Sequence, residues 1–178
     1  GFNDIVPKSL DLARDITPLP GWMNGISAYS MWWVLIQHDW YMTNGNLKYL
    51  REQHTYLKGL LQLLISKIGP DGSEQLDGGR FLDWPTSGDP KVVHAGLQAL
   101  MVMTLQAGRS LCHVLGDTQT AKACEDGLKR LREAVPDMGD SKQAAALVSL
   151  AGMVDAKKAD QEVIEKDGAH RFSTFYGY

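Results

Sequence analysis

Several common function classes leave no mark on this sequence. It has 2 cysteines in 178 residues. Cys112 and Cys124 flank a turn at Gly116-Asp117 and could face each other across a helical hairpin. Without paired histidines nearby they make no metal motif, and free core thiols are the expectation. The histidines are His38, His54, His94, His113 and His170, at no metal-binding spacing, so neither metal nor cofactor is expected. Lys and Arg are scattered and the net charge is −3, which leaves no electrostatic footprint for nucleic acid. No apolar run reaches the roughly 20 residues of a membrane span. Convincing strands, a Gly-rich phosphate loop and a Gly-x-Ser-x-Gly elbow are all missing. Gly1-Phe2-Asn3-Asp4 has neither an initiator Met nor a leader pattern. The chain is therefore expected to be a piece of something longer, and its localisation is not legible from this end.

What is present is helical periodicity. Apolar content is 44% and charged content 22%, enough apolar surface for one cored domain over 1–178. Residues 1–22, punctuated by Pro7, Pro18, Pro20 and Gly21, read as mostly loop with a short helix over 9–15. From Asn24 the chain becomes helical and apolar nearly all round, with Tyr29, Trp33, Ile36 and Trp40 on one face and Met31, Trp32 and Leu35 on the other. Thr43-Asn44-Gly45-Asn46 ends that helix and starts the next, 47–68, which carries one leucine stripe and one wet face. Residues 92–115 repeat the apolar pattern, Gly116-Asp117 repeats the turn, and 118–134 repeats the amphipathic helix. Weaker helices are expected over 142–153 and 156–166. Each unit is a hairpin whose first helix is the more buried. The uneven period argues against a regular solenoid and for a double ring, with apolar helices inside and amphipathic ones outside.

The alternation is interrupted once, by the loop at 69–91. A loop this long between helices is uncommon unless it has a task. At its centre Phe81-Leu82-Asp83-Trp84-Pro85 puts a carboxylate beside an indole, the pairing that receives a sugar's C–H face and its hydroxyls. Trp84 has two readings, a ligand wall or a plug folded over its own loop. A glycosidase needs two carboxylates flanking the scissile bond. Asp71, Glu74, Asp77, Asp83 and Asp89 are available in the loop. Asp83 is the best placed, because Trp84 would partly desolvate it. No acid and base pair emerges, and Asp71-Gly72 and Asp77-Gly78 have the form of solvated turns. Trp22, after Pro20-Gly21, holds the same kind of position before its helix that Trp84 holds, whereas Trp32, Trp33 and Trp40 have core spacing. His94 opens the helix after the loop and is a candidate to face a pocket, while His54 and His113 read as boundary histidines.

An ordered set of segments carries a family resemblance. It comprises Pro20-Gly21-Trp22, the Trp-rich helix to Trp40, Thr43-Asn44-Gly45-Asn46-Leu47, Phe81-Leu82-Asp83-Trp84, Leu115-Gly116-Asp117 and Phe172-Ser173-Thr174-Phe175-Tyr176-Gly177. Together they resemble the catalytic domain of the α-L-rhamnosidases, glycoside hydrolase family 78, within the six-hairpin (α/α)6 toroid group. The resemblance implies an all-α toroid and hydrolysis of terminal α-L-rhamnosides with inversion, without a cofactor. It places Trp22, Asn24, Asp83 and Trp84 at the sugar pocket. The family's acidic motif precedes the matched region and its general base follows the aromatic-Gly segment, so both principal carboxylates are expected outside this chain. Twelve helices of about 12 residues with loops of about 5 need roughly 200 residues, and six or seven helices here amount to about half a toroid. Such a half is expected to lack activity alone and to expose apolar edges that favour oligomers. Its partner would be a rhamnosylated glycan or glycoside. The alternatives are a TPR-like or HEAT-like interaction domain and another glycan-active toroid.

Overall fold

A computed structural model of the chain describes residues 2–168 and residue 170. The aromatic-Gly segment of the resemblance, 172–177, lies outside the described residues. The described chain is all-helical. Its α-helices are α1 (Phe2–Asp15), α2 (Ser27–Asn44), α3 (Leu47–Ser66), α4 (Pro90–Leu115), α5 (Thr118–Glu133), α6 (Lys142–Leu150) and α7 (Ala156–Ala159). A 3₁₀ turn, Met23–Gly25, precedes α2, and a π-helical turn, Asp160–Ile164, follows α7. No described helix is long and apolar enough to cross a membrane.

The first correction concerns the N-terminal segment, which is helical from Phe2 rather than mostly loop. Pro7 misleads here: inside the helix it forfeits one i→i−4 hydrogen bond, and contacts from residues distant in sequence outweigh that loss. Outside donors support this helix: Tyr49 Oη donates to the Pro7 carbonyl (3.2 Å), Trp33 Nε1 to the Leu10 carbonyl (2.9 Å) and Gln53 Nε2 to Asp11 Oδ1 (2.9 Å). The second correction concerns the C-terminal helices. α6 ends at Leu150, where Gly152 turns left-handed (φ 67°), and the expected helix over 156–166 is one α turn followed by the π turn.

The helix boundaries follow local chemistry. Gly45 and Gly116 take the left-handed C-cap conformation, at φ 64° and 76°. The side chains of Asn46, Asp89 and Asp117 accept the orphan amides that start α3, α4 and α5, and Pro90 sits where a missing N–H costs nothing.

α4 is the central helix and packs against α2, α3, α5 and α6. α3 also packs on α5. One layer is therefore α2, α4 and α6, and α3 and α5 form a second layer behind it. The core runs between the layers: Leu57, Leu60, Leu61 and Leu64 meet Leu97, Leu100, Met101 and Leu105, all fully buried. Each such side chain contributes about 1.5–3 kcal/mol relative to exposure. Gly108 lets α3 and α4 approach closely, since a Cβ there would lie 2.3 Å from Leu61 Cδ2. Cys112 and Cys124 are buried, unpaired thiols in this core.

Two-residue turns join α2 to α3 and α4 to α5 as antiparallel hairpins. The Ile26–Gly79 bridge ties the start of α2 to the loop that leads into α4, and Val92 and Ala95 pack on Ala144, so the starts of α2, α4 and α6 lie together at one end of the molecule. The connectors 16–26, 67–89 and 134–141 run across it.

Candidate functional site

The connector 67–89 is an ordered structure, fastened to both neighbouring connectors. It leaves α3 in a tight reversal, with the Gly69 amide donating to the Ser73 carbonyl (2.8 Å) and the Gln75 amide to the Lys67 carbonyl (2.7 Å). Asp71 closes the turn by accepting from the Ser73 amide (3.0 Å) and hydroxyl (2.7 Å). Gly72 has φ 83°, and a Cβ there would fall 2.3 Å from the Arg130 carbonyl oxygen, so only glycine fits. Arg130 donates to the carbonyls of Ile68 (2.9 Å) and Gly69 (2.7 Å), which ties α5 to the loop.

Glu74 is the hub. Its carboxylate is fully buried and accepts from Arg80 through both oxygens, from the Leu76 amide (2.9 Å), and lies 2.6 Å from His94 Nδ1. Burial alone would raise its pKa. The hydrogen bonds from His94, Arg80 and the Leu76 amide, with the Arg80 charge, outweigh burial and hold it below the usual carboxylate range. The Glu74 amide in turn donates to Gln98 Oε1 (2.6 Å). Gln98 is completely buried in α4, and its Nε2 reaches the carbonyls of Gly72 (3.0 Å), Leu131 (2.9 Å) and Ala134 (3.2 Å). One side chain thereby joins the loop, the end of α5 and the start of the connector 134–141.

On the other side the loop is fastened to the connector 16–26. Trp22 Nε1 donates to Asp77 Oδ1 (2.8 Å), and Asp77 Oδ2 accepts from Lys67 Nζ (2.7 Å). The indole lies on the Gly78 backbone, where a Cβ would meet Trp22 Cδ1 at 2.6 Å. The Gly79 amide donates to the Gly25 carbonyl (2.7 Å), and Gly79 pairs with Ile26 in a parallel bridge. Asn24, just before Gly25, takes the left-handed conformation (φ 51°), which turns the chain into α2.

The five residues singled out by sequence fall into three places. Trp22 is half-buried on the loop. Asn24 is exposed, at the lip of an apolar groove of about 550 Å³ between α1 and α2, lined among others by Leu10, Met23, Trp32, Trp33 and Ile36. Asp83, Trp84 and His94 belong to the loop and the α4 start. Asp83 turns inward, where Oδ1 accepts from the Thr86 amide (3.0 Å) and hydroxyl (2.5 Å). Its Oδ2 is buried without a hydrogen-bond partner. Trp84 turns outward, is 84% exposed, and meets the edge of Phe81 at a centroid distance of 5.2 Å. The loop therefore does not present the carboxylate and the indole on one face, and Trp84 is not a plug. The loop body, with buried Leu82 set against Gly96, encloses Asp83. Beyond Thr86 a polar cleft of about 390 Å³ opens toward Asp140 and Gln143. His94 faces Glu74, with its side chain 35% exposed.

Of the other loop acids, Asp71 is a solvated turn former and Asp77 an exposed partner of Trp22 and Lys67. Glu74, Arg80 and Gln98 are the residues sequence reading undervalues. Only Gln98 leaves a signal, as a polar residue inside the apolar run Gly96-Leu97-Gln98-Ala99-Leu100. At the opposite end, His54 pairs with Asp117 (3.0 Å), as a boundary histidine should. Among the described residues no group of His, Cys, Asp and Glu could hold a metal ion.

No protein-family model matches the chain, and neither the curated proteins nor the solved structures give a match.

Proposed function

We propose that this chain is the central part of a glycoside hydrolase resembling the α-L-rhamnosidases, and that it forms one side of the sugar pocket. In this reading α2, α4 and α6 are consecutive inner helices of an (α/α)6 toroid, and α3 and α5 belong to its outer ring. The observation that carries it is the gathering of three connectors at the N-terminal ends of α2, α4 and α6, with Trp84 exposed on the longest. An exposed indole has a flat apolar face for a pyranose, and the ordered backbone beneath it limits the entropy lost on binding. Trp22 and His94 are the further residues proposed for the pocket wall, while Asp83 braces the loop from within through Thr86 and Asn24 turns the chain into α2 at the margin. The parent enzyme hydrolyses terminal α-L-rhamnosides with inversion, and its acid and base lie outside these 178 residues. The test is an aryl α-L-rhamnoside offered to the parent protein and to this chain. Turnover by the parent and none by the chain is the expected pair of results. Turnover by the chain alone would overturn the assignment of the carboxylates, and inactivity of the parent toward every rhamnoside would overturn the substrate.

The groove between α1 and α2 supports a second reading, a helical interaction domain. It is almost wholly apolar, and Ile16 (71% exposed) and Ile36 (43%) stand at its edges. In the toroid reading the same surface is an edge against which another hairpin or a second copy packs. A chain that stays monomeric by sedimentation and captures an amphipathic helical peptide in this groove would favour the interaction domain.

A further inference from the structure

The Glu74–His94 contact fixes more than the path of the loop. Glu74 sits in a fully buried position with Arg80 on both of its oxygens, an arrangement that keeps the carboxylate ionised. An ionised carboxylate only accepts hydrogen bonds, so at 2.6 Å the proton between the two groups belongs to His94 Nδ1. In a neutral imidazole the other nitrogen, Nε2, is then an acceptor. Among the described residues His94 Nε2 has no hydrogen-bond partner, and the side chain is 35% exposed at the start of α4, beside the loop that carries Trp84. His54 provides the contrast in the same protein. It uses Nε2 toward Asp117 (3.0 Å), which requires the proton on Nε2.

We propose that Glu74 is a positioning residue that holds His94 in the Nδ1–H tautomer, so that the rim presents Nε2 as a fixed hydrogen-bond acceptor for a hydroxyl group of the ligand. The ligand class follows from the donor set. A neutral acceptor beside a charge-compensated Glu74–Arg80 pair favours an uncharged hydroxyl over an anion. Naming that hydroxyl as a saccharide's rests on the function proposed above, whereas the tautomer does not.

The experiment is a long-range ¹H–¹⁵N correlation spectrum of the histidine rings in the full chain, well above the ordinary imidazole range of about pH 6.5. The expected result is His94 as Nδ1–H and His54 as Nε2–H in one spectrum, with His94 shifting toward Nε2–H in Glu74→Gln. His94 as Nε2–H in the wild-type chain would overturn the proposal, and that measurement needs no variant to fold. Methyl α-L-rhamnopyranoside is then titrated in. Movement of the His94 Nε2 resonance in the wild type, with a several-fold weaker response in Glu74→Gln, supports the acceptor role toward a sugar. A correct tautomer with a Nε2 resonance indifferent to the sugar leaves the positioning role intact and overturns the saccharide assignment.

Discussion

Gln98→Met removes the polar junction between the loop 67–89 and the end of α5 while keeping a side chain of similar length and volume. Gln98 is completely buried and holds four backbone groups: the Glu74 amide and the carbonyls of Gly72, Leu131 and Ala134. Its two Nε2 protons serve three carbonyls, so the loss is equivalent to three hydrogen bonds rather than four. The Glu74 amide is the costliest orphan, because Glu74 is 3% exposed. A buried group left unpaired costs about 1–3 kcal/mol, and the carbonyls near the end of α5 recover part of their loss from water. The apolar thioether offsets a little of this, and the expected net cost is about 3 kcal/mol. For a domain of this size that corresponds to a melting temperature lower by about 6–12 °C. Circular dichroism melting gives the shift, and native-state hydrogen exchange at the Glu74 amide gives its location. A shift under about 2 °C, with the amide still protected, would refute the assignment of Gln98 as the junction.

Trp84→Ala should leave stability within about 0.5 kcal/mol of the wild type, because the ring touches little beyond Phe81; a larger loss by chemical denaturation would mean that the ring supports the loop. Burial pushes the Cys112 and Cys124 thiols up to about 12, so a disulfide reagent at neutral pH should label neither until the chain is denatured. Burial would raise the Asp117 pKa. The Thr120 amide and hydroxyl, His54 and Lys58 together outweigh it and hold the carboxyl far below the usual range. A depressed carboxylate contributes its stability above the unfolded-state value near pH 3.9 and loses it as pH falls below that. Acid titration of stability should therefore be shallower in Asp117→Asn, which keeps an N-cap acceptor for the Thr120 amide and loses the charged contacts with His54 and Lys58; parallel curves would contradict this.

The hairpin order was legible because its signals are local. Gly45-Asn46 and Gly116-Asp117 state both the end of one helix and the cap of the next, and the leucine stripe of α3 states which face is inside. The N-terminal helix is not legible past Pro7, because the hydrogen bonds that hold it come from Trp33, Tyr49 and Gln53, residues distant in sequence. Within the loop, residue type marked Asp83 and Trp84 but not the direction each side chain takes. That direction follows from contacts with Thr86 and Phe81, which set Asp83 inward and Trp84 outward. Glu74 looked like one loop acid among five. Its role depends on Arg80 and His94 arriving from two sides, and no local pattern encodes that convergence.

The central claim is that the rim at the N-terminal ends of α2, α4 and α6 meets a saccharide. The indole N–H resonances report on it directly, because the chain holds 5 tryptophans in distinct places. Titration with methyl α-L-rhamnopyranoside, with Trp22→Phe and Trp84→Phe for assignment, should move the signals of Trp84 and Trp22 and leave those of Trp32, Trp33 and Trp40 in place. Movement confined to Trp32 in the α1–α2 groove, or no movement at a saturating concentration of sugar, would contradict it.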